Sequence, residues 1–381
     1  MAMKCKIEIV TPCHIGAGDN KLIKDINFVV DGDRVGVVSP EKIYSLLGDE
    51  GIDKWCNAID RKESIWKVVK TQNANARLED ICDRVMECCG AVCTELGEQI
   101  ASNGTPYIPG SSIKGAIVSA IVGECRDRIT LPTDFDKSNI IEQLLVKPVE
   151  KRGQITYNPQ NSLLRFLRVS DAYFDNVDTV AMESYGLNLR EDKSIVDKKA
   201  RMLVECINSG SEATVTIQWR ADLYNESRSV VPPLPQVLSS EAAMLTAIND
   251  HTRRLLEAEK KFWCEQKKRD YYHVDTNDEQ KELDCYLNTI DAIIDHCDCC
   301  TSGKSAIMRV GYGSGWRFMT GGYVDNEGLV KKIAHKIRTK RERTEDNRYV
   351  YVDHYQQYDF PKTRRIADYT PLGFVKISRI K

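Results

Sequence analysis

The sequence lacks any apolar run of the roughly 18–20 residues that a membrane-spanning helix needs, and it opens on a strand-like pattern rather than a signal peptide. It also lacks an excess of either charge: it has 54 Lys and Arg residues and 56 Asp and Glu residues, which gives a net charge of −2. A uniformly basic coat for nucleic acid is therefore excluded, whereas a local basic surface is not. With 381 residues, 42% of them hydrophobic, the composition predicts two or three folded domains. We expect a cytoplasmic protein with no membrane partner.

Catalytic signals are sparse. Only six histidines occur, and neither an HExxH nor a GxSxG motif is present. His14 lies in a glycine-containing loop after the first predicted strand, where a residue that contacts RNA or transfers protons would be expected. A hydrogen bond that merely orders this loop is the alternative. We expect no catalytic residue and no cofactor.

The 14 cysteines are numerous for a chain without an export signal, so the thiols should stay reduced. The densest groups lie in residues 82–93 and in the segment His296-Cys297-Asp298-Cys299-Cys300. Neither group has two CxxC knuckles at zinc-ribbon spacing, although the second is the better candidate for a metal site. We favour buried or incidental thiols and expect no metal, with Cys88, Cys89 and Cys93 on a helix.

Strand-like and helix-like segments alternate without a regular βα order, which predicts an α+β fold with antiparallel sheets. The predicted strands span residues 3–10, 28–30, 34–38, 167–174, 212–221, 306–310 and 371–377. The predicted helices span residues 40–47, most of 52–100, 113–121, 239–268, 279–295 and 328–338. Residues 130–165 should be irregular, and the prolines at 232–235 mark a linker.

Residues 108–115, Ile-Pro-Gly-Ser-Ser-Ile-Lys-Gly, join a predicted strand to a predicted helix. The unpaired N–H groups and the dipole of a helix start favour an anion such as an RNA phosphate, and Lys114 adds a full charge. The segment does not match the GxxxxGK[ST] pattern of ATP-binding loops. A well-capped helix with a solvated lysine is the alternative. The candidate contacts here are Gly110, Ser111, Ser112 and Lys114.

Residues 309–316, Arg-Val-Gly-Tyr-Gly-Ser-Gly-Trp, form a second candidate site, which we call the glycine-rich loop. Glycines let backbone approach a ligand closely, while Arg309 and Trp316 supply charge and a stacking face. This combination suits single-stranded RNA. A cluster of turn glycines in a hairpin is the alternative. The candidate contacts are Arg309, Gly311, Gly313, Ser314, Gly315 and Trp316.

Two basic stretches follow. Residues 331–343 carry seven Lys or Arg, which in most proteins is a solvated helix face. Lys362, Arg364 and Arg365 lie between two prolines and could clamp phosphates as loop cations.

Three segments together resemble the RAMP superfamily of CRISPR-associated proteins: residues 11–18 (Thr-Pro-Cys-His-Ile-Gly-Ala-Gly), residues 108–115 and the glycine-rich loop. The tail, residues 361–365 and 371–377, resembles that of the terminal RAMP subunit of type III-A (Csm) effector complexes. We call residues 11–18 the His14 loop, and its candidate RNA contacts are His14, Gly16 and Gly18.

The resemblance implies a ferredoxin-like (RRM-like) core, a second, degenerate ferredoxin-like half and helical insertions. It suggests an N-terminal domain (1–235), a helical segment (236–302) and a C-terminal part with the glycine-rich loop (303–381). It implies a non-catalytic subunit that binds the 3′ part of CRISPR RNA and caps the filament of the repeated backbone subunit. The expected partners are that RNA, the other Csm subunits and host nucleases that mature the RNA.

Two other functions stay open. One is a RAMP endoribonuclease that processes precursor RNA, with His14 as acid or base. The other is the RAMP subunit that grips the 5′ handle of the RNA.

Overall fold

The computed structural model describes residues 2–18, 21–61, 63–129, 140–188, 195–266, 277–319, 321–324, 339–353 and 363–380. The helices in these ranges are α1 Pro40–Asp60, α2 Ile65–Gln72, α3 Gly110–Glu124, α4 Ile140–Leu145, α5 Ala221–Glu226, α6 Glu241–Gln266, α7 Asn277–Asp298 and α8 Gly315–Met319. The strands are β1 Ala2–Ile9, β2 Leu22–Ile23, β3 Phe28–Asp31, β4 Arg34–Val38, β5 Cys82–Cys89, β6 Glu95–Gly97, β7 Ala101–Ser102, β8 Thr105–Ile108, β9 Val146–Lys151, β10 Gln154–Ser162, β11 Leu167–Val169, β12 Ala172–Tyr173, β13 Thr179–Asn188, β14 Val196–Ile207, β15 Glu212–Trp219, β16 Ser305–Arg309, β17 Thr339–Arg343, β18 Tyr349–Asp353, β19 Thr363–Ala367 and β20 Phe374–Arg379.

The first sheet has five antiparallel strands in the order β11-β15-β1-β20-β16. Its central strand is β1, in which buried and exposed side chains alternate as the sequence predicts. Ile7 of β1 lies opposite Ala213 of β15 and Ile377 of β20. Strands from distant parts of the chain therefore complete one sheet.

Helices α3 and α6 pack on the apolar face of this sheet. Ile113, Ile117 and Ile121 of α3 are fully buried in the same core as Ile7, because they recur at helical spacing on one side of α3. The start of α6 is capped by Ser240, whose hydroxyl accepts a hydrogen bond from the backbone N–H of Ala243 at 3.0 Å.

The second sheet has the order β2-β6-β14-β13-β5-β4-β3, and β19 also pairs with β13. Its centre is the long antiparallel pair β13 and β14, whereas β13–β5 and β14–β6 are parallel. Helices α1 and α2 share a core with β3, β4 and the start of β5. Three smaller sheets are formed by β12-β8-β7, β9-β10 and β17-β18. The α+β class is confirmed, but the second sheet is mixed rather than purely antiparallel.

Several sequence predictions were wrong. Beyond α2, the region expected to be helical contains β5 and β6, so Cys88 and Cys89 lie on a strand and Cys93 lies in the loop after it. Residues 140–162, expected to be irregular, form α4 and the β9–β10 hairpin. The helix predicted over 328–338 lies outside the described residues. The division at residues 235 and 302 stays a prediction, and the first sheet takes strands from both sides of it.

No helix in the described part of the chain is long and apolar enough to span a membrane.

His251 of α6 fills the junction between α3, α6 and residues 321–324. Its side chain is only 3% exposed, and its Nδ1 lies 3.2 Å from Nη2 of Arg254. Two glycines make room for the imidazole, because a Cβ on Gly123 or on Gly322 would lie 2.3 or 2.5 Å from the ring. The ring thus requires glycine on two different segments.

We predict that Gly123→Ala lowers the free energy of unfolding by about 1–3 kcal/mol, because the new methyl group overpacks against His251. Gly115→Ala on the same helix is the matched control. Nothing lies within 4 Å of its Cβ position, so helix propensity should stabilise that variant by roughly 0.5–1 kcal/mol. Chemical denaturation measures both. Equal effects of the two changes would contradict the packing argument.

Candidate nucleic-acid interface

The His14 loop and the glycine-rich loop lie against each other. The backbone N–H of Tyr312 donates to the carbonyl oxygen of His14 at 2.9 Å. Gly311 has a φ of 77°, and a Cβ there would lie 2.4 Å from the same oxygen. Both its conformation and this close approach therefore require glycine at position 311.

Strand β19 completes the cluster. A Cβ on Gly313 would lie 3.4 Å from the carbonyl oxygen of Arg365, and Arg365 pairs with Gly186 of β13. Residues 11–18, 309–316 and 364–365 therefore meet where the first sheet joins the second. Three of the four segments predicted to bind RNA are brought together, and Lys362 lies outside the described residues.

The side chain of His14 is enclosed in this junction. It is 4% exposed, its Nδ1 lies 2.7 Å from the carbonyl oxygen of Glu205, and its ring meets that of Tyr312 edge-on at 5.4 Å. Burial lowers the pKa of His14, although the Glu205 carbonyl opposes that effect. This imidazole orders the loop, while Gly16 and Gly18 are exposed at its outer edge.

A buried carboxylate that the sequence analysis missed supports the His14 loop. Glu205 accepts hydrogen bonds from Nε and Nη2 of Arg84 at 2.8 and 2.9 Å, from the Thr179 hydroxyl at 2.9 Å and from the backbone N–H of Gln99 at 3.1 Å. The side-chain oxygen of Gln99 accepts in turn from the N–H of Ile15 at 2.8 Å. In the sequence, Glu205 could have been noticed as a single acidic residue within the otherwise apolar C-terminal part of β14.

The start of α3 is occupied by the protein itself. The backbone N–H of Gly110 donates to Asp171 at 2.7 Å, and Nζ of Lys114 donates to the carbonyls of Leu164 and Leu167 at 2.7 and 2.8 Å. Burial lowers the pKa of Lys114. These contacts favour the alternative of a capped helix over an anion site. Ser111 is exposed here and Ser112 is half-buried.

Arg309 lies beneath the glycine-rich loop and shapes it. Its Nε donates to the carbonyl of Leu372 at 2.9 Å and its Nη1 to that of Ser314 at 3.3 Å. The guanidinium also lies 5.2 and 4.8 Å from the ring centres of Phe318 and Phe374. Burial lowers the pKa of Arg309 to about 10. Above it, Gly315 is exposed and Trp316 is half-buried.

Arg364 is tied to a second buried carboxylate. Its Nε and Nη2 donate to Glu259 of α6 at 2.6 and 2.8 Å, and the Trp263 indole and Tyr286 hydroxyl each donate to Glu259 at 2.8 Å. Burial by itself would raise the pKa of Glu259, but Arg364 and these donors hold it below its usual value. Arg364 therefore fastens β19 to α6, and Arg365 beside it is half-buried.

The cysteine-rich end of α7 does not form a metal centre in this structure. Cys297 is buried, Cys299 is exposed and Cys300 is half-buried. Across the described residues, no group of three or more His, Cys, Asp or Glu side chains is arranged to hold a metal ion. None of the 14 cysteines, all of which lie in the described residues, forms a disulfide bond in this structure.

We predict that Lys114→Met lowers the free energy of unfolding by about 1–2 kcal/mol, because two carbonyl groups lose their donor. RNA affinity and its salt dependence should stay unchanged. Lys67→Met, which removes an exposed lysine from α2, is the matched control and should change neither property. Denaturation and fluorescence anisotropy provide the measurements. Weaker RNA binding at unchanged stability would restore Lys114 as a phosphate contact.

Known proteins resemble this chain in sequence and in fold. The family model of the RAMP superfamily matches residues 6–318. A curated relative, CRISPR system Cms protein Csm5 of Methanocaldococcus jannaschii, is 26% identical over 192 residues, which are 45% of this chain and 43% of that protein. The match therefore spans less than half the length of the curated relative.

Two solved structures share the fold. A chain in the cryo-EM structure of a type III-A Csm–crRNA–target RNA ternary complex is 18% identical with a TM-score of 0.67, over 99% of this chain and 100% of that chain. Csm5 of T. onnurineus, solved by crystallography, is 17% identical with a TM-score of 0.67, over 97% and 99% of the two chains. These likenesses concern the fold, whereas the family match extends over most of the sequence. The chain belongs to the RAMP superfamily.

Proposed function

We propose that this protein is a non-catalytic subunit of a type III-A CRISPR effector complex, which binds the 3′ part of the CRISPR RNA and caps the backbone filament. One observation carries the proposal: the His14 loop exposes Gly16 and Gly18, and the adjoining glycine-rich loop exposes Gly315 next to the half-buried Trp316, on a fold shared with Csm5 along almost its whole length. Backbone N–H groups at such glycines can approach phosphates, and a tryptophan can stack on a base.

The topology supports a ferredoxin-like core for the first sheet. Four of its strands follow the order β20-β1-β15-β11, and all neighbours are antiparallel. Along the chain they occur as β1, α3, β11, β15, α6 and β20, which is a βαββαβ succession. In this proposal β16 is an added edge strand, and the β13–β14 sheet belongs to the degenerate second half.

Hydrogen bonds within the protein occupy several of the cations that were predicted to bind RNA. Lys114, Arg309 and Arg364 each donate to groups within the protein, so few of the predicted cations are left for a single strand. We therefore propose that the isolated chain holds RNA by a small number of phosphate contacts. Neighbouring subunits, chiefly the repeated backbone subunit, would supply the rest of the affinity. A net charge of −2 suits a subunit of this kind.

We predict that effector complexes assembled without this protein contain a shortened or ragged backbone, and CRISPR RNA with an unmatured 3′ end and an unchanged 5′ end. A filament built by head-to-tail stacking needs an end subunit that offers only one complementary face. Native mass spectrometry and sequencing of both RNA ends are the measurements. An altered 5′ end with an intact backbone would contradict the proposal and favour the subunit that grips the 5′ handle.

We also predict that the purified chain leaves labelled CRISPR RNA intact in Mg²⁺, in Mn²⁺ and in chelator. The histidine that the endoribonuclease alternative requires is enclosed and is held against a backbone carbonyl. His14→Asn is the matched variant, and both proteins should give the same uncut RNA on a denaturing gel. If the wild-type chain cleaved the RNA and His14→Asn abolished that cleavage, the endoribonuclease alternative would be established. The protein itself, rather than recruited host nucleases, would then mature the CRISPR RNA.

A further inference from the structure

An open groove of about 560 Å³ lies between β9, α5 and the segment 231–235, which contains three prolines. It shares no lining residue with the His14 loop, the glycine-rich loop or β19. The walls are mostly apolar and are formed by the side chains of Val146, Pro148, Tyr224, Val231, Pro232 and Pro233. Pro148 and Pro233 are exposed, so the apolar walls are open to solvent. An exposed apolar concavity of this kind is typical of a site that binds a partner.

Hydrogen bonds hold the groove in shape. Nζ of Lys147 donates to the carbonyl of Ser229 at 2.7 Å, which ties β9 to the segment after α5. The Tyr224 hydroxyl accepts a hydrogen bond from the backbone N–H of Leu234 at 3.0 Å. The proline rings restrict the backbone of the same segment further. The groove is therefore formed before a partner arrives, which reduces the entropic cost of binding.

The groove also carries two cations, Lys147 and Arg228, whose side chains are exposed. Lys147 bonds to a carbonyl, and the guanidinium of Arg228 lies over the Tyr224 ring, 5.7 Å from its centre. Neither cation forms an ion pair within the described part of the chain. No acidic side chain among the described residues lines the groove. A complementary partner therefore presents an apolar group with negative charge beside it.

The groove is poorly suited to a nucleotide base. The Tyr224 ring already packs against Arg228, against Phe166 with ring centres 5.8 Å apart, and against Trp219 at 5.9 Å. Tyr224 is only 9% exposed, so its ring offers no open face on which a base could stack. Prolines also lack the backbone N–H groups that would pair with the polar edge of a base. A bulky apolar side chain of a protein needs neither feature.

We propose that this groove docks an acidic peptide segment of a partner protein. A bulky apolar residue of that segment lies between the prolines, and its flanking carboxylates lie beside Lys147 and Arg228. Tyrosine and arginine are both enriched where proteins bind one another, which suits this composition. The inference does not rest on the proposed function, because neither RNA nor any residue of the two candidate RNA-binding loops enters it.

The first test measures binding of a fluorescein-labelled peptide, Ser-Glu-Asp-Phe-Leu-Asp-Glu-Ser, to the full-length chain by fluorescence anisotropy. We expect saturable binding with a Kd of about 100 µM or tighter. Replacing Phe-Leu with Ser-Ser should weaken binding about 10-fold, because the apolar contact is lost. Added salt should weaken binding of the parent peptide, because it screens exposed charges. Absence of saturable binding, or equal binding of the two peptides, would overturn the proposal.

The second test reverses one charge at the groove. Arg228→Glu should weaken binding of the acidic peptide about 5-fold or more, and it should strengthen binding of the basic peptide Ser-Lys-Arg-Phe-Leu-Arg-Lys-Ser. Lys67→Glu makes the same charge change at an exposed site on α2, and this matched control should change neither affinity. Misfolding would not create affinity for the opposite charge, so this exchange separates docking from a structural role. Identical affinities in Arg228→Glu and Lys67→Glu would contradict the proposal.

Single-stranded RNA is the other occupant to test. A labelled oligoribonucleotide should bind Arg228→Glu and Lys67→Glu equally, and it should not displace the acidic peptide from the wild type. If it displaced the peptide and lost affinity only for Arg228→Glu, the groove would be a nucleic-acid site and the proposal would be wrong. Failure of the wild type to bind RNA, alone and in the complex, would instead contradict the proposed function and leave the peptide site standing.

Discussion

The carboxylate of Glu205 is the interaction on which the junction between the two sheets depends. It lies on a central strand of the second sheet and binds Arg84 from β5, Thr179 from β13 and the backbone after β6. Its own carbonyl holds the ring of His14. A carboxylate that is 2% exposed persists only where donors surround it, so these segments must all be in place together. The His14 loop follows β1 of the first sheet, but it is held in position by residues of the second sheet.

A second buried carboxylate, that of Glu259, holds the segments on the other side of the junction together. It joins α6, α7 and β19 through Trp263, Tyr286 and Arg364. The glycine-rich loop lies between the two carboxylate networks and carries Arg309 underneath. A loop with three left-handed glycines would otherwise be mobile, so these networks confine the flexible backbone at the proposed RNA surface.

Short-range patterns in the sequence predicted much of the first sheet. The alternation in β1 and β15 and the helical spacing in α3 depend only on neighbouring residues, and each was confirmed. The β13–β14 pair could not be found in this way, because buried side chains on both faces of β13 leave no alternation. Charged residues were the hardest to interpret. The partners of Lys114 lie 50 and 53 positions away and Glu259, which binds Arg364, lies 105 positions from it, so the sequence alone could not show that these cations are engaged.

The position of β20 beside β1 has a consequence for how the chain acquires its fold. During synthesis β1 emerges before both of its neighbours, because β15 begins at Glu212 and β20 begins at Phe374. One edge of β1 therefore stays unpaired until β15 has been made and the other until β20 has been made, and unpaired edges promote aggregation. Closing such long loops also slows folding. The central strand of the RAMP core is thus made long before it can be enclosed, which makes chaperone binding during synthesis most valuable at this strand.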